Sequence, residues 1–320
     1  MMIMMDPPEH TQMRRLVSQA FTRRSLEDLE PLITEVVTHF LDLLEGRDHF
    51  DIVADFSALF PVEVIATMLG VPQSERQQVR HWADTFLFRR PGDPQTTDEG
   101  MEAMLFMASY FLDLAKDKRE NPDNLIISKL TEAILKDEHG QDRYLSDDDV
   151  AAFSALIAGA GSETVTKLIG HAVVLFDQHP DQWNLLLDDE SMIPAAIEEI
   201  LRMQPPSQYQ GRFALEDVTF EGGTIPARSP VLLLTGAATR DPRAFEDPDS
   251  FDITRSPNST PAFGFGVHSC LGAWLARLEC RVALSEIRRR WPNFSVDKRG
   301  LKRVNMSNVA GYSNVPISVR

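Results

Sequence analysis

Residues 146–178 restrict this chain more than any other stretch. Ser146 and Asp149 stand at capping-box spacing, which satisfies two of the backbone N–H groups that a helix leaves free at its start. From Val150 to Gly161 the side chains are apolar nearly all round, and such a helix has to be covered on every side. The sequence therefore predicts a long helix crossing the middle of the protein, ended by His179-Pro180. One run inside it conflicts with simple packing. Ala160-Gly161-Ser162-Glu163-Thr164 sets an acid and a hydroxyl where apolar groups belong. Hydroxyls inside helices often bond the carbonyl four residues back and bend the helix, and Gly161 eases that bend.

The rest of the chain reads as mostly helical. Asp6-Pro7-Pro8-Glu9 has the form of a helix start with Asp6 as N-cap. Met13, Leu16, Val17, Ala20 and Phe21 then form one face, and His10 and Arg14 share another. Further helices are expected over 25–45, 55–69, 74–89, 97–119, 121–135, 191–204 and 271–290. Short strands are expected at 212–215, 218–220 and 231–234, with a terminal hairpin at 309–319. A Pro- and Asp-rich stretch, 241–262, reads as irregular. Mostly helix with small segregated sheets is a mainly α, α+β architecture.

No linker, repeat or low-complexity tract divides the 320 residues, so one domain over 1–320 is expected. A net charge of −16 argues against nucleic acid as a partner, because phosphates want a basic face. No apolar run reaches the ~18 residues of a membrane span, and the leading Met-rich run lacks the basic flank of a signal peptide. The expected location is cytoplasmic. Cys270 and Cys280 give neither a disulfide framework nor a paired zinc spacing. Cys280, about 280° further round a helix, reads as a packed core thiol.

Cys270 differs because of what precedes it: Phe263-Gly264-Phe265-Gly266-Val267-His268-Ser269. The glycines permit positive φ and close approach to a flat ligand. Backbone N–H groups at the start of the following helix favour a thiolate, and a thiolate in a tight apolar loop suits a haem iron. Two other readings stand beside this one. A free Cys is commonly a small buried hydrophobe. The glycine spacing also half-matches a dinucleotide loop, but Ser269 replaces its third glycine and no βαβ unit surrounds it.

The stretch from Phe263 to Gly272 closely resembles the cysteine loop of the cytochrome P-450 family, with Phe263, Gly264, Gly266, His268, Cys270 and Gly272 at the family's spacing. The resemblance runs from Asp6 to the C-terminus and is to the soluble bacterial branch. It implies a helical fold with small β-sheets and haem b (iron protoporphyrin IX) between the long helix and the cysteine loop. Cys270 would be the axial iron ligand, and His10, Arg14, Arg212 and His268 the propionate partners. Ala160 and Gly161 would leave room for dioxygen, Thr164 would hydrogen-bond the oxygen species, and Glu163 would feed protons. Glu199, Arg202 and Arg255 resemble a structural acid–arginine network. The implied activity is a monooxygenase acting on a small apolar substrate, whose pocket is expected to include 207–210, the helices of 74–119 and Tyr312-Ser313. Electrons would come from a ferredoxin and its reductase, docking on a basic face of Arg14, Arg15, Arg277 and Arg281. A haem-binding protein without turnover and peroxide-driven oxidation are the alternatives. Two departures stand out. Family members carry a substantial segment before Asp-Pro-Pro-Glu-His, and its lack implies exposed sheet edges, low stability and weak substrate retention. Val165 and Ser162 also replace more usual polar residues.

Overall fold

The computed structural model describes residues 2–136, 141–255 and 260–320. The chain opens with α1 (Glu9–Ser18), α2 (Arg23–Glu27), α3 (Glu30–Asp42) and β1 (His49–Asp51). Then come α4 (Phe60–Leu69), α5 (Arg76–Leu87), α6 (Asp98–Glu120) and α7 (Ile126–Thr131), followed by the ribbon β2 (Ile134–Lys136) and β3 (Asp142–Tyr144). The long helix α8 (Asp147–Gln178) precedes α9 (Pro180–Asp188) and α10 (Ile193–Met203). Two ribbons use β4 (Gln210–Phe213) with β7 (Pro230–Leu233), and β5 (Val218–Phe220) with β6 (Gly223–Ile225). After α11 (Thr235–Ala238) and the cysteine loop, α12 (Ala273–Arg290) leads into β8 (Phe294–Val296), β9 (Lys302–Arg303), β10 (Tyr312–Asn314) and β11 (Pro316–Val319).

Helix α8 begins as its sequence demands. The Ser146 hydroxyl accepts from the Asp149 N–H at 3.1 Å, and the Asp149 carboxylate accepts from the Ser146 N–H. It packs against α4, α5, α6, α10 and α12, which cover most of its surface. Between Val150 and Asp177 one residue only, Ala160, is exposed. Ser57 and Thr166 exchange hydrogen bonds (2.7 and 3.2 Å) that tie the π-helical turn before α4 to the middle of α8. Gly161 lies where α4 crosses: a Cβ there would stand 2.8 Å from Ile65 Cγ1.

Several boundaries differ from the sequence reading. Asp6 does not cap α1. Pro8 occupies the cap position without a side-chain bond, since the two prolines set Asp6 too far upstream. His10 is 1% exposed and shares the buried face with Met13 and Val17, instead of lying apart from it. The helix expected over 25–45 is interrupted at Asp28-Leu29, and that over 121–135 shrinks to α7 because Ile134 turns into a strand. Of the irregular stretch 241–262, residues 256–259 lie outside the described residues.

The terminal hairpin does not form. β10 pairs with β9, whereas β11 lies between β1 and β8 in a separate antiparallel sheet. Buried Val315 forces this division. Its N–H donates to Asp51 Oδ1 (3.0 Å) and its carbonyl accepts from the Ile52 N–H (3.1 Å), so the chain leaves one sheet for the other at that residue.

Gly161→Ala is expected to lower stability by about 1–3 kcal/mol, because the methyl would drive α4 and α8 apart. The loss should shrink in an Ile65→Ala background; urea unfolding of the single and double variants measures both.

Candidate functional site

The cysteine loop is shaped by its glycines. Gly264 and Gly266 adopt φ of 72° and 73°, and the Cys270 N–H closes the turn on the Phe263 carbonyl at 2.7 Å. Phe263 is covered by the Arg277 guanidinium, 4.5 Å from the ring centre. Gly272 caps α12, and a Cβ there would meet nothing within 4 Å. Cys270 is open to solvent on one side. Burial of the rest of the sulfur pushes its thiol above the usual range, against the downward pull of the Gly272 N–H, Arg14 and Arg277. The chain alone thus does not make the thiolate that the sequence reading expected, and metal coordination would have to displace the proton.

Around this sulfur the structure gathers three of the four expected propionate partners. Arg14 Nη2 donates to the Ser269 carbonyl oxygen at 2.6 Å, next to Cys270. The rings of His10 and His268 lie 4.3 Å apart. Both ring nitrogens of His10 are buried without a partner. Burial first, then His268 and Arg14, hold its pKa below the ordinary value, so the imidazole is neutral near pH 7. Arg212 is exposed on β4 and, among the described residues, donates only to the neighbouring Gly211 carbonyl.

On α8, Leu156, Ala160 and Thr164 are spaced four apart and share one face, where the helix is least covered. The half-buried Thr164 hydroxyl donates to the Ala160 carbonyl at 3.0 Å, and the buried Ser162 hydroxyl to Ala158. Gly161 points to Ile65, so its smallness serves helix packing and not the opening beside Ala160. Glu163 is buried, with Lys167 Nζ 2.8 Å from its Oε2. Burial would raise its pKa, but a hydrogen bond from Asp84 and the Lys167 charge bring it below the usual carboxylate range. Lys167 and Asp84 were missed by sequence reasoning. Lys167, one turn from Glu163, carried a signal; Asp84, on a different helix, carried none.

The acid–arginine network is the most buried ionic feature. Arg202 donates to both carboxylate oxygens of Glu199 at 2.7 and 2.8 Å, and to the carbonyls of Pro248, Ser250 and Thr239. Arg255 Nε lies 3.6 Å from Glu199, which also accepts from the Asp252 N–H.

The expected basic face of Arg14, Arg15, Arg277 and Arg281 is not four free cations. Arg277 is paired with Glu198, Arg281 with Glu30, and Arg14 is turned onto Ser269. Arg15 is exposed without a carboxylate partner among the described residues. A groove of about 590 Å³ between α2, α10 and α12 is lined by both signs, including Arg23, Glu27, Glu30, Glu198, Arg277 and Arg281. Tyr312, expected near the substrate, is instead a buried core residue with its ring edge-on to His171.

These residues fit a flat, iron-bearing dicarboxylate. The orphaned His10 imidazole needs an acceptor, Gly272 leaves space beside the sulfur, and Cys270 supplies a soft donor. Comparison with known proteins agrees. The family model described as Cytochrome P450 matches residues 1–310. "Putative cytochrome P450 123" of Mycobacterium tuberculosis (strain ATCC 25618 / H37Rv) is 41% identical over 320 residues, covering 100% of this chain and 78% of that protein. "Vitamin D(3) 25-hydroxylase" of Pseudonocardia autotrophica is 42% identical over 288 residues, covering 90% of this chain and 69% of the relative. Among solved structures, P450BioI bound to an acyl carrier protein carrying hexadec-9Z-enoic acid superposes with a TM-score of 0.92. It is 34% identical, and the match covers 100% of this chain and 82% of that one.

Arg202→Ala is expected to cost about 3–5 kcal/mol, because Glu199 would stay buried without its counter-charge. Arg202→Lys should recover only part, since an ammonium cannot form the two parallel bonds. Urea midpoints of both variants give the comparison.

Proposed function

The chain belongs to the cytochrome P-450 family of bacterial monooxygenases, and from that premise we propose that it inserts one atom of dioxygen into a small apolar substrate. The observation that carries the reading is the cluster of Cys270, Arg14, His10 and His268. It joins a soft donor to carboxylate-binding groups, one of them buried and unpartnered. Haem b, when bound, supplies oxygen activation at iron. Cys270 would ligate the metal as thiolate, with the Gly272 N–H, Arg14 and Arg277 favouring that charge. His10 would donate an N–H to one propionate, and Arg14, His268 and Arg212 would balance the remaining charge.

Residues 1–320 act as one domain in this proposal. Leu156 and Ala160 give the open face of α8 an apolar surface with one hydroxyl, Thr164, to orient bound oxygen. Relatives named for vitamin D(3) and for a fatty acyl chain support an apolar substrate. The Thr164 hydroxyl donates to the Ala160 carbonyl, so it would pass a proton only by turning that O–H away while its oxygen accepts another, and Glu163 is the neighbouring buried carboxyl on the helix. A ferredoxin-type donor would dock beside α12 and the start of the chain. Arg15 offers it free charge, whereas Arg277 and Arg281 would first have to exchange Glu198 and Glu30. No helix of the described residues is long and apolar enough to cross a membrane, and both cysteines are free, which supports a cytoplasmic site of action.

The test is the reduced, carbon-monoxide difference spectrum of the haem-loaded protein. A strongly red-shifted Soret band is expected and should be lost in Cys270→His. A wild-type band without that shift would remove the thiolate and with it the proposed activity.

A further inference from the structure

Helix α10 carries two adjacent acids with different partners. Glu199 turns inward and is spent on Arg202. Glu198, about 100° round the helix, reaches α12 instead. Its carboxylate accepts from Arg277 Nε at 2.5 Å and from Nη2 at 3.0 Å, a parallel pair of bonds that fixes the plane of the guanidinium. Arg277 Nη1 donates to the Ala273 carbonyl, one turn back, at 3.4 Å. The flat face of the same guanidinium lies 4.5 Å from the centre of the Phe263 ring. Phe263 in turn accepts the Cys270 N–H on its carbonyl at 2.7 Å. Glu198 is itself held in place, because the clamp of Arg202 on Glu199 immobilises the turn of α10 that carries both acids.

We propose that Glu198 is a positioning residue for the cysteine site: it fixes the Arg277 guanidinium on Phe263 and so keeps one positive charge beside Cys270. The inference rests on the monooxygenase reading, since it concerns the sulfur that would ligate haem iron. Glu198 touches neither haem nor substrate and acts through Arg277 alone. Arg277 needs such an anchor. Its side chain is 34% exposed, and a long cationic side chain that reaches water turns toward it unless a partner holds it back.

The surrounding charges suit this role. Burial of Cys270 works against a thiolate, and the Gly272 N–H, Arg14 and Arg277 work for it. The charge of Glu198 falls on a different sulfur, the buried Cys280, whose thiol is held up by burial first and then by Glu279 and Glu198. Glu198 therefore serves Cys270 by where it holds Arg277. A positive charge beside the ligand favours the electron-rich, reduced iron, so its withdrawal moves the reduction potential to more negative values. Arg281 supplies the contrast. It is answered by Glu30 at 2.6 Å on the same helix, but has no hydrogen bond or ring contact with the cysteine loop among the described residues.

Reduction potentials of the haem-loaded full chain, measured by spectroelectrochemistry, separate position from charge. Glu198→Ala should shift the potential to more negative values, as should Arg277→Ala, and the double variant should go no further than either. Glu198→Asp keeps the charge but is one methylene too short for the parallel bonds, so a smaller negative shift is expected. Glu198→Gln loses the charge but keeps an acceptor oxygen, and should stay nearer the wild type than Glu198→Ala. Glu30→Ala should leave the potential unchanged. In the reduced carbon-monoxide spectrum the less shifted band should grow in E198A and not in E30A. A positive shift in E198A and E198Q with E198D at the wild-type value would mean that the carboxylate acts by its own charge, and would overturn the proposal. So would additive shifts in the double variant, an equal shift in E30A, or no shift in any variant. If E198A takes up no haem, E198D against E198Q decides. If the wild type lacks the red-shifted carbon-monoxide band, the monooxygenase reading fails instead, whatever the variants show.

Discussion

The Glu199–Arg202 pair is the interaction on which the arrangement of the site depends. Both side chains are almost wholly removed from water, which is costly for two charges. The cost is met because every strong donor and acceptor is used. Arg202 forms a parallel pair of bonds to Glu199 and spends its remaining N–H groups on three carbonyls from 239–250. A helix and an irregular segment distant in sequence are thereby locked together. That segment has little regular hydrogen bonding of its own, so the guanidinium substitutes for a sheet. Arg255, 3.6 Å from the same carboxylate, extends the clamp toward the cysteine loop.

Helix α8 is the second fixed element, and it has two functional faces. One holds Leu156, Ala160 and Thr164, where its cover is thinnest. The other buries the Glu163–Lys167 pair. Adjacent residues in a helix point about 100° apart, so Thr164 and Glu163 necessarily face different surroundings.

The arginines show how a protein of net charge −16 manages basic residues. Three of those on α12 are answered by carboxylates from other helices: Arg277 by Glu198, Arg281 by Glu30 and Arg290 by Asp42. Their role leans toward fastening α12 to α3 and α10. Periodicity along one helix cannot reveal such pairs, because the partner lies far away in the chain.

Local signals were legible wherever the physics is local. The capping box of α8, its length, the positive-φ glycines before Cys270 and the acid–arginine spacing of Glu199 and Arg202 all follow from neighbours within one or two turns. The mainly α architecture with small sheets, and membership of the cytochrome P-450 family, were legible for the same reason, since the motifs are contiguous. Tertiary structure alone decided the rest. Burial of His10 beside His268, the packing of Gly161 on Ile65, the separation of β10 from β11 at Val315 and the meeting of Asp84 with Glu163 join residues on different elements. Their geometry is set by how whole helices and strands pack, and no spacing in the sequence encodes that distance.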